Sequence, residues 1–183
     1  LHRNSGHDSI GRREFLTLPS LLAQTPEDTR ARFRKMSEEA ERRGLAEPFK
    51  GITTNGSVVE ELFPIKPTGV STAPVRQAAE KFIASLTTEQ RGKVLFPLDD
   101  AEWRKWMNQH FYRRQGVSFQ EMIPAQREAA FALLSVSLSA KGMRLTRDIM
   151  RLNETLAELT GDHEFLGEWL YFITIMGKPS TTD

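Results

Sequence analysis

Apolar positions recur with a helical period along most of the chain. The clearest run is Met143–Thr160, where Leu145, Ile149, Leu152, Leu156 and Leu159 follow at intervals of four, three, four and three residues. Arg144, Arg147, Arg151, Glu154 and Glu158 run opposite, and Gly161 is the expected C-terminal stop. Upstream, Thr25-Pro26-Glu27-Asp28 opens a helix with a cap, a first-turn proline and first-turn acids, running to Arg43 with Gly44 as terminator. Its apolar stripe is thin: Phe33, Met36 and Ala40. Val75, Ala79, Phe82, Ile83 and Leu86 form a core face on a helix capped near Thr72. Thr87-x-x-Gln90 and Ser118-x-x-Glu121 are capping boxes. A helix is expected to restart at Pro124 and run through Lys141, burying Ala130, Leu133, Leu134 and Leu138, with Gly142 ending or bending it. Another should begin near Ala101, after Asp99 and Asp100.

Two stretches break the helical period. Ile52-Thr53-Thr54 and Ser57-Val58-Val59 flank Asn55-Gly56, the residue pair that supplies both positive φ angles of a type I′ hairpin turn. Trp169-Leu-Tyr-Phe-Ile-Thr-Ile-Met176 is aromatic and β-branched between Gly167 and Gly177, and reads as a strand covered on both faces. An isolated apolar strand leaves its backbone unpaired, so it is expected to lie beside the 52–63 hairpin.

Composition narrows the chemistry. With 183 residues the chain is long enough for one domain with a real core. It has no Cys, which excludes disulfides, zinc–thiolate sites, iron–sulfur clusters and a Cys nucleophile. A net charge of +1 gives no general drive toward nucleic acid, and no basic–aromatic interleaving suits single strands. No apolar run approaches the ~20 residues of a membrane helix. There is no phosphate loop, dinucleotide fingerprint or nucleophile elbow. His163 and Glu168, near Asp162 and Glu164, lack a recognised ligand spacing, so no metal site is expected. Near the start, Gly11-Arg12-Arg13-Glu14-Phe15-Leu16 resembles a twin-arginine export signal, although Pro19 interrupts the short apolar stretch that follows. The competing reading is a short amphipathic helix, so both a cytoplasmic and an exported location stay open.

Two groups of residues carry candidate chemistry. On a regular helix Trp103, Trp106 and His110 share one face, with Arg113 and Arg114 just beyond. Indole faces stack flat ligands or hold cations, imidazole moves protons near neutral pH, and paired guanidinium groups bind carboxylate or phosphate. The plainer reading makes the Trp residues core anchors. The second group is the Arg144/Arg147/Arg151 stripe, with Glu154 and Glu158 beyond it. Bases first and acids last oppose the helix dipole, at a few tenths of a kcal/mol per charge, or roughly so. A broken local rule points to compensation elsewhere: carboxylates of another segment, or an anionic ligand. The plainer reading is a solvated face.

Five segments carry a resemblance: Phe96-Pro97-Leu98-Asp99-Asp100, the Trp106 helix, Leu138-Ser139-Ala140-Lys141-Gly142, Asp148-Ile149-Met150-Arg151-Leu152 and Leu170-Tyr171-Phe172-Ile173-Thr174-Ile175-Met176-Gly177. In that order they resemble the bacterial family catalogued as domain of unknown function 3500, over roughly residues 70–179. The resemblance implies frequent export and no established activity. It also implies further β structure with a His pair after the last strand, and a Glu near Asn153, where Glu154 is the closest match.

The expected fold is therefore α+β and predominantly α-helical, with one β-hairpin and a C-terminal apolar strand, as part of a larger α+β domain. Residues 1–24 read as a leader or flexible segment and 25–183 as a single mainly helical domain. The candidate catalytic residues are His110 and Glu154. The candidate ligand-binding residues are Trp103, Trp106, Arg113, Arg114, Arg147 and Arg151. The expected ligand is a small anionic or aromatic molecule, with no cofactor specified. The open strand edge is expected to pair with the missing C-terminal portion or another chain. The function expected is part of an exported bacterial enzyme, or else a non-catalytic small-molecule-binding or structural domain.

Overall fold

The computed structural model describes residues 26–49, 51, 53–62, 66, 68–105 and 114–181. Its architecture is predominantly helical α+β. The helices are α1 (Pro26–Ala46), α2 (Ala73–Ser85), α3 (Thr88–Val94), α4 (Pro124–Ser137) and α5 (Ala140–Thr160). The strands, two residues each, are β1 (Thr53–Thr54), β2 (Ser57–Val58), β3 (Leu95–Phe96), β4 (Val117–Ser118), β5 (Phe172–Ile173) and β6 (Ile175–Met176).

The core lies where α2 and α4 pack together. Phe82 and Leu86 of α2, Val94 of α3, Val117 of β4, Phe119, Met122, Ala130 of α4 and Met150 of α5 form one buried cluster. Polar groups fix the entry of each element into it. Thr87 accepts from the Gln90 backbone N–H while Gln90 accepts from Thr87 N, the capping box that the spacing predicts. Ser118 and Glu121 make the second box, but on a single 3₁₀ turn (Phe119–Glu121) rather than a regular helix. Gln126 is buried among these caps: its Nε2 donates to Ser85 O at 2.9 Å and Gln90 Oε1 at 2.8 Å, and its Oε1 accepts from Ile123 N at 3.1 Å. One amide thus ties the end of α2 to the starts of α3 and α4.

The hairpin forms as its sequence predicts. Thr53 pairs with Val58 and Thr54 with Ser57, and Asn55 and Gly56 have φ of 54° and 82°. The C-terminal strand differs in partner. It divides at Thr174 into β5, antiparallel to β4 (Val117 opposite Ile173), and β6, parallel to β3 (Leu95 opposite Ile175). The hairpin pairs only with itself among the described residues. Leu95–Phe96 and Val117–Ser118 already flank the core, so short ladders to them satisfy the backbone without the hairpin.

Helix boundaries also depart from expectation. Gly44 lies inside α1, which continues to Ala46; Thr25, its expected cap, is outside the described residues. The long helix expected from Pro124 to Lys141 is two helices. The chain turns at Leu138–Ser139, where Ser139 Oγ accepts from Gly142 N at 3.0 Å and caps α5. After Asp100 only a 3₁₀ turn, Ala101–Lys105, falls within the described residues. Polar contacts hold α1 at each end: Arg104 donates to Gly44 O and Glu47 O, and Arg30 pairs with Glu164 at 2.7 Å.

The orientation of α5 is the main departure. Met150 and Ala157 are buried, whereas Leu145, Ile149, Leu152, Leu156 and Leu159 are each between 45 and 79% exposed. The helix turns its periodic leucine seam outward. Its inward face carries Met150 and Ala157 at the centre, with Arg147, Asn153 and Glu154 half-buried beside them.

Candidate functional site

Arg127 and Phe131 lie one turn apart on α4, which places them on the same face. Phe131 packs on Phe119 with ring centroids 4.8 Å apart, and Trp169 stands 6.4 Å from both. Two guanidinium groups cover this aromatic cluster. Arg127 Cζ sits 4.4 Å from the Trp169 ring centroid, and Arg147 Cζ from α5 sits 3.7 Å from that of Phe131. Arg127 Nε also donates to Phe119 O at 2.7 Å.

The backbone determines where Trp169 stands. Phe119 N donates to Tyr171 O and Gln120 N to Trp169 O, each at 3.0 Å, extending the β4–β5 ladder. From the other side, α5 holds the loop that precedes Trp169. Asn153 Nδ2 donates to Gly167 O at 3.0 Å, and Glu154 Oε2 accepts from Glu168 N at 2.7 Å. Gly161, with φ of +72°, turns the chain out of α5 into that loop. Burial of Tyr171 raises its phenol above the usual range. Beneath Phe119, burial of Glu121 disfavours its charge. The Ser118 backbone N–H, Lys93 and the Ser118 hydroxyl outweigh that and hold its carboxyl below the ordinary range.

Electrostatically the cluster is cationic. Among the described residues Arg127 and Arg147 have no carboxylate within ion-pair distance, whereas Arg30, Arg76, Arg151, Lys93 and Lys105 do. A guanidinium stacked on a ring uses its π face and keeps its in-plane N–H groups for a carboxylate or phosphate.

Those residues singled out in the sequence that the structure describes are dispersed. Trp106, His110 and Arg113 lie outside the described residues. Trp103 is half-exposed and meets Phe49 edge-on at 4.8 Å. Arg114 is half-buried and partnered. Arg151 is exposed and pairs with Asp148 at 3.9 Å. Arg147 joins the aromatic cluster, and Glu154 clamps the adjoining loop, with Oε1 4.0 Å from His163 Nδ1. Arg127, Phe131 and Phe119 were not evident from the sequence. The available signal was the four-residue Arg127–Phe131 spacing.

A depression of about 170 Å³ beside α1, lined by Ser37, Glu38, Glu41, Arg42, Leu45 and Gln115, is smaller than the ~300 Å³ at which ligand pockets begin. Among the described residues no three His, Asp or Glu side chains converge as a metal site, and no helix is long and apolar enough to cross a membrane. A family model described as "Protein of unknown function (DUF3500)" matches residues 68–183. No curated protein and no solved structure matches the chain.

Proposed function

The chain belongs to the DUF3500 family of proteins of unknown function, and from its own residues we propose that it holds a small anionic molecule, best an aromatic carboxylate, against the Arg127–Arg147 cluster. One observation carries this reading: two guanidinium groups stacked on a single aromatic cluster, neither with a carboxylate partner among the described residues. The N–H edges supply charge-assisted donors, and the half-buried Phe131 and Trp169 beside them supply apolar contact.

Benzoate and inorganic phosphate, titrated against the protein by calorimetry, test it. Benzoate should bind more tightly than phosphate. Replacing Arg127 and Arg147 together with Ala should weaken benzoate at least tenfold, on the order of two charge-assisted hydrogen bonds lost. Arg151→Ala should leave it unchanged, since that side chain points away on α5. Equal benzoate affinity in the double variant and the native protein defeats the reading.

The wider form of the proposal is an exported bacterial enzyme acting on such a molecule. The Gly11–Leu16 motif supports export, and the chemistry of His110 and Glu154 supports proton transfer. Recovery of the native protein outside the cytoplasm, abolished by Arg12→Lys with Arg13→Lys, would bear out export. The alternative, a structural domain, is favoured by a different observation, the outward leucine seam of α5.

A further inference from the structure

The α5 seam has a symmetry of its own. Measured from Leu152, its members stand at minus seven, minus three, zero, plus four and plus seven residues. Reversing the helix direction maps the pattern nearly onto itself. From Leu145 to Leu159 the seam covers 14 residue steps, about 21 Å of helix at ~1.5 Å per residue. Its 4–3–4–3 spacing is that of alternating coiled-coil seam positions, with Leu145, Leu152 and Leu159 in one register and Ile149 and Leu156 in the other.

Charge along the exposed side is polarised in the same sense. Lys141 and Arg144 lie toward the N-terminal end and Glu158 toward the C-terminal end, while the exposed Asp148 and Arg151 between them pair with each other. Lys141, Arg144 and Glu158 are all exposed, and none has an ion pair among the described residues. Within one helix this order opposes the dipole. Against a second helix running the other way it becomes complementary: Arg144 of one copy comes within about one turn of Glu158 of the other. A parallel arrangement sets Arg144 against Arg144.

We infer that the occupant of this face is a second copy of the chain, with two α5 helices packed antiparallel about a two-fold axis at Leu152. Such an isologous contact needs only one self-complementary surface, and α5 presents one. It lies at the small end of stable interfaces, so it should dissociate in the micromolar range. The inference shares the orientation of α5 with the anion reading but does not need a ligand there, because the seam lies on the exposed side of α5 and Arg147 on the other.

Sedimentation velocity of the native protein from roughly 1 to 100 μM, the range in which a small interface dissociates, should show monomer passing to dimer. The Leu152→Asp, Leu156→Asp variant alters only half-exposed or exposed positions, so it should keep the native circular dichroism and remain monomeric, at least tenfold weaker in association. The chain has no Cys, so single substitutions report geometry cleanly. Leu152→Cys should form an intermolecular disulfide with itself on mild oxidation. Leu145→Cys should do so only when mixed with Leu159→Cys. Three results would overturn the inference: a native protein that stays monomeric at the highest concentration, with Leu156→Cys either reactive (a bare face) or shielded (covered by another segment of the same chain); a dimer indifferent to the two Asp substitutions; or Leu145→Cys cross-linking to itself, which requires parallel helices.

Discussion

One added methyl group at Gly116 should undo the joint between β4 and β5. Gly116 has φ of +95°, and a Cβ built on it falls 2.2 Å from Ile173 O and 2.8 Å from Ile173 C. Both neighbours are backbone, so no side chain can swing away. The strand must shift by the better part of an ångström, and Ile173 is the residue that pairs with Val117. A non-glycine residue at this φ costs about 1–3 kcal/mol. Losing the two-residue ladder costs about 0.5–1.5 kcal/mol per hydrogen bond. Together Gly116→Ala should cost roughly 3–5 kcal/mol, a large share of the ~5–15 kcal/mol that holds a domain folded. Gly92→Ala is the control. It lies within α3 with nothing within 4 Å of the new Cβ, and should gain about 0.5–1 kcal/mol. Urea unfolding followed by circular dichroism measures both. A Gly116→Ala penalty below about 1 kcal/mol would mean that β5 does not run beside Gly116, and the placement of Trp169 would fail with it.

Two further predictions concern polar groups. Gln126→Leu removes the buried amide that Ile123 N, Ser85 O and the half-buried Gln90 amide share, and should cost about 1–3 kcal/mol; an unchanged melting temperature would contradict the hub described for Gln126. Glu121 has a folded-state pKa below its unfolded value, so its stabilisation is complete above the ordinary carboxylate range. It is lost as pH falls through the folded value, because the unfolded chain takes up the proton first. Glu121→Gln should therefore flatten the acid limb of a stability–pH profile, and an unaltered limb would remove Glu121 from the account.

Local chemistry was legible in the sequence where contacts are short in range. The Asn55-Gly56 turn, the Thr87–Gln90 box and the Ser118–Glu121 box each form between the residues expected, because a cap or tight turn involves only residues three or four apart. Ser139 was an equally local signal, overshadowed by the apolar continuity of Leu133, Leu134 and Leu138 around it. Strand partners were not legible. Two-residue strands carry no alternation to set a register, and Ile173 finds its partner Val117 in β4, 56 residues upstream, and Ile175 its partner Leu95 in β3, 80 residues upstream. The direction faced by α5 was hidden for another reason. Periodicity identifies an apolar side but not what lies against it, and Met150 and Ala157 are too few to announce a buried face. Arg147 and Glu154 turn inward because each finds a partner there, the Phe131 ring and the Glu168 N–H. The aromatic–guanidinium cluster joins Phe119, α4, α5 and the 161–171 loop, and only the Arg127–Phe131 spacing was visible beforehand.

The orientation of α5 underlies both the dimer and the inward placement of Arg147. Thiol labelling tests it most directly, using Leu152→Cys and Met150→Cys in the Cys-free chain at submicromolar concentration, where association is minimal. Leu152 is exposed and Met150 buried at 2%. Leu152→Cys should react at close to the rate of a thiol in the unfolded chain. Met150→Cys should react at least ~100-fold more slowly, since it waits for an opening of the core. Fast labelling at position 150 with protection at position 152 would show the helix turned the other way round.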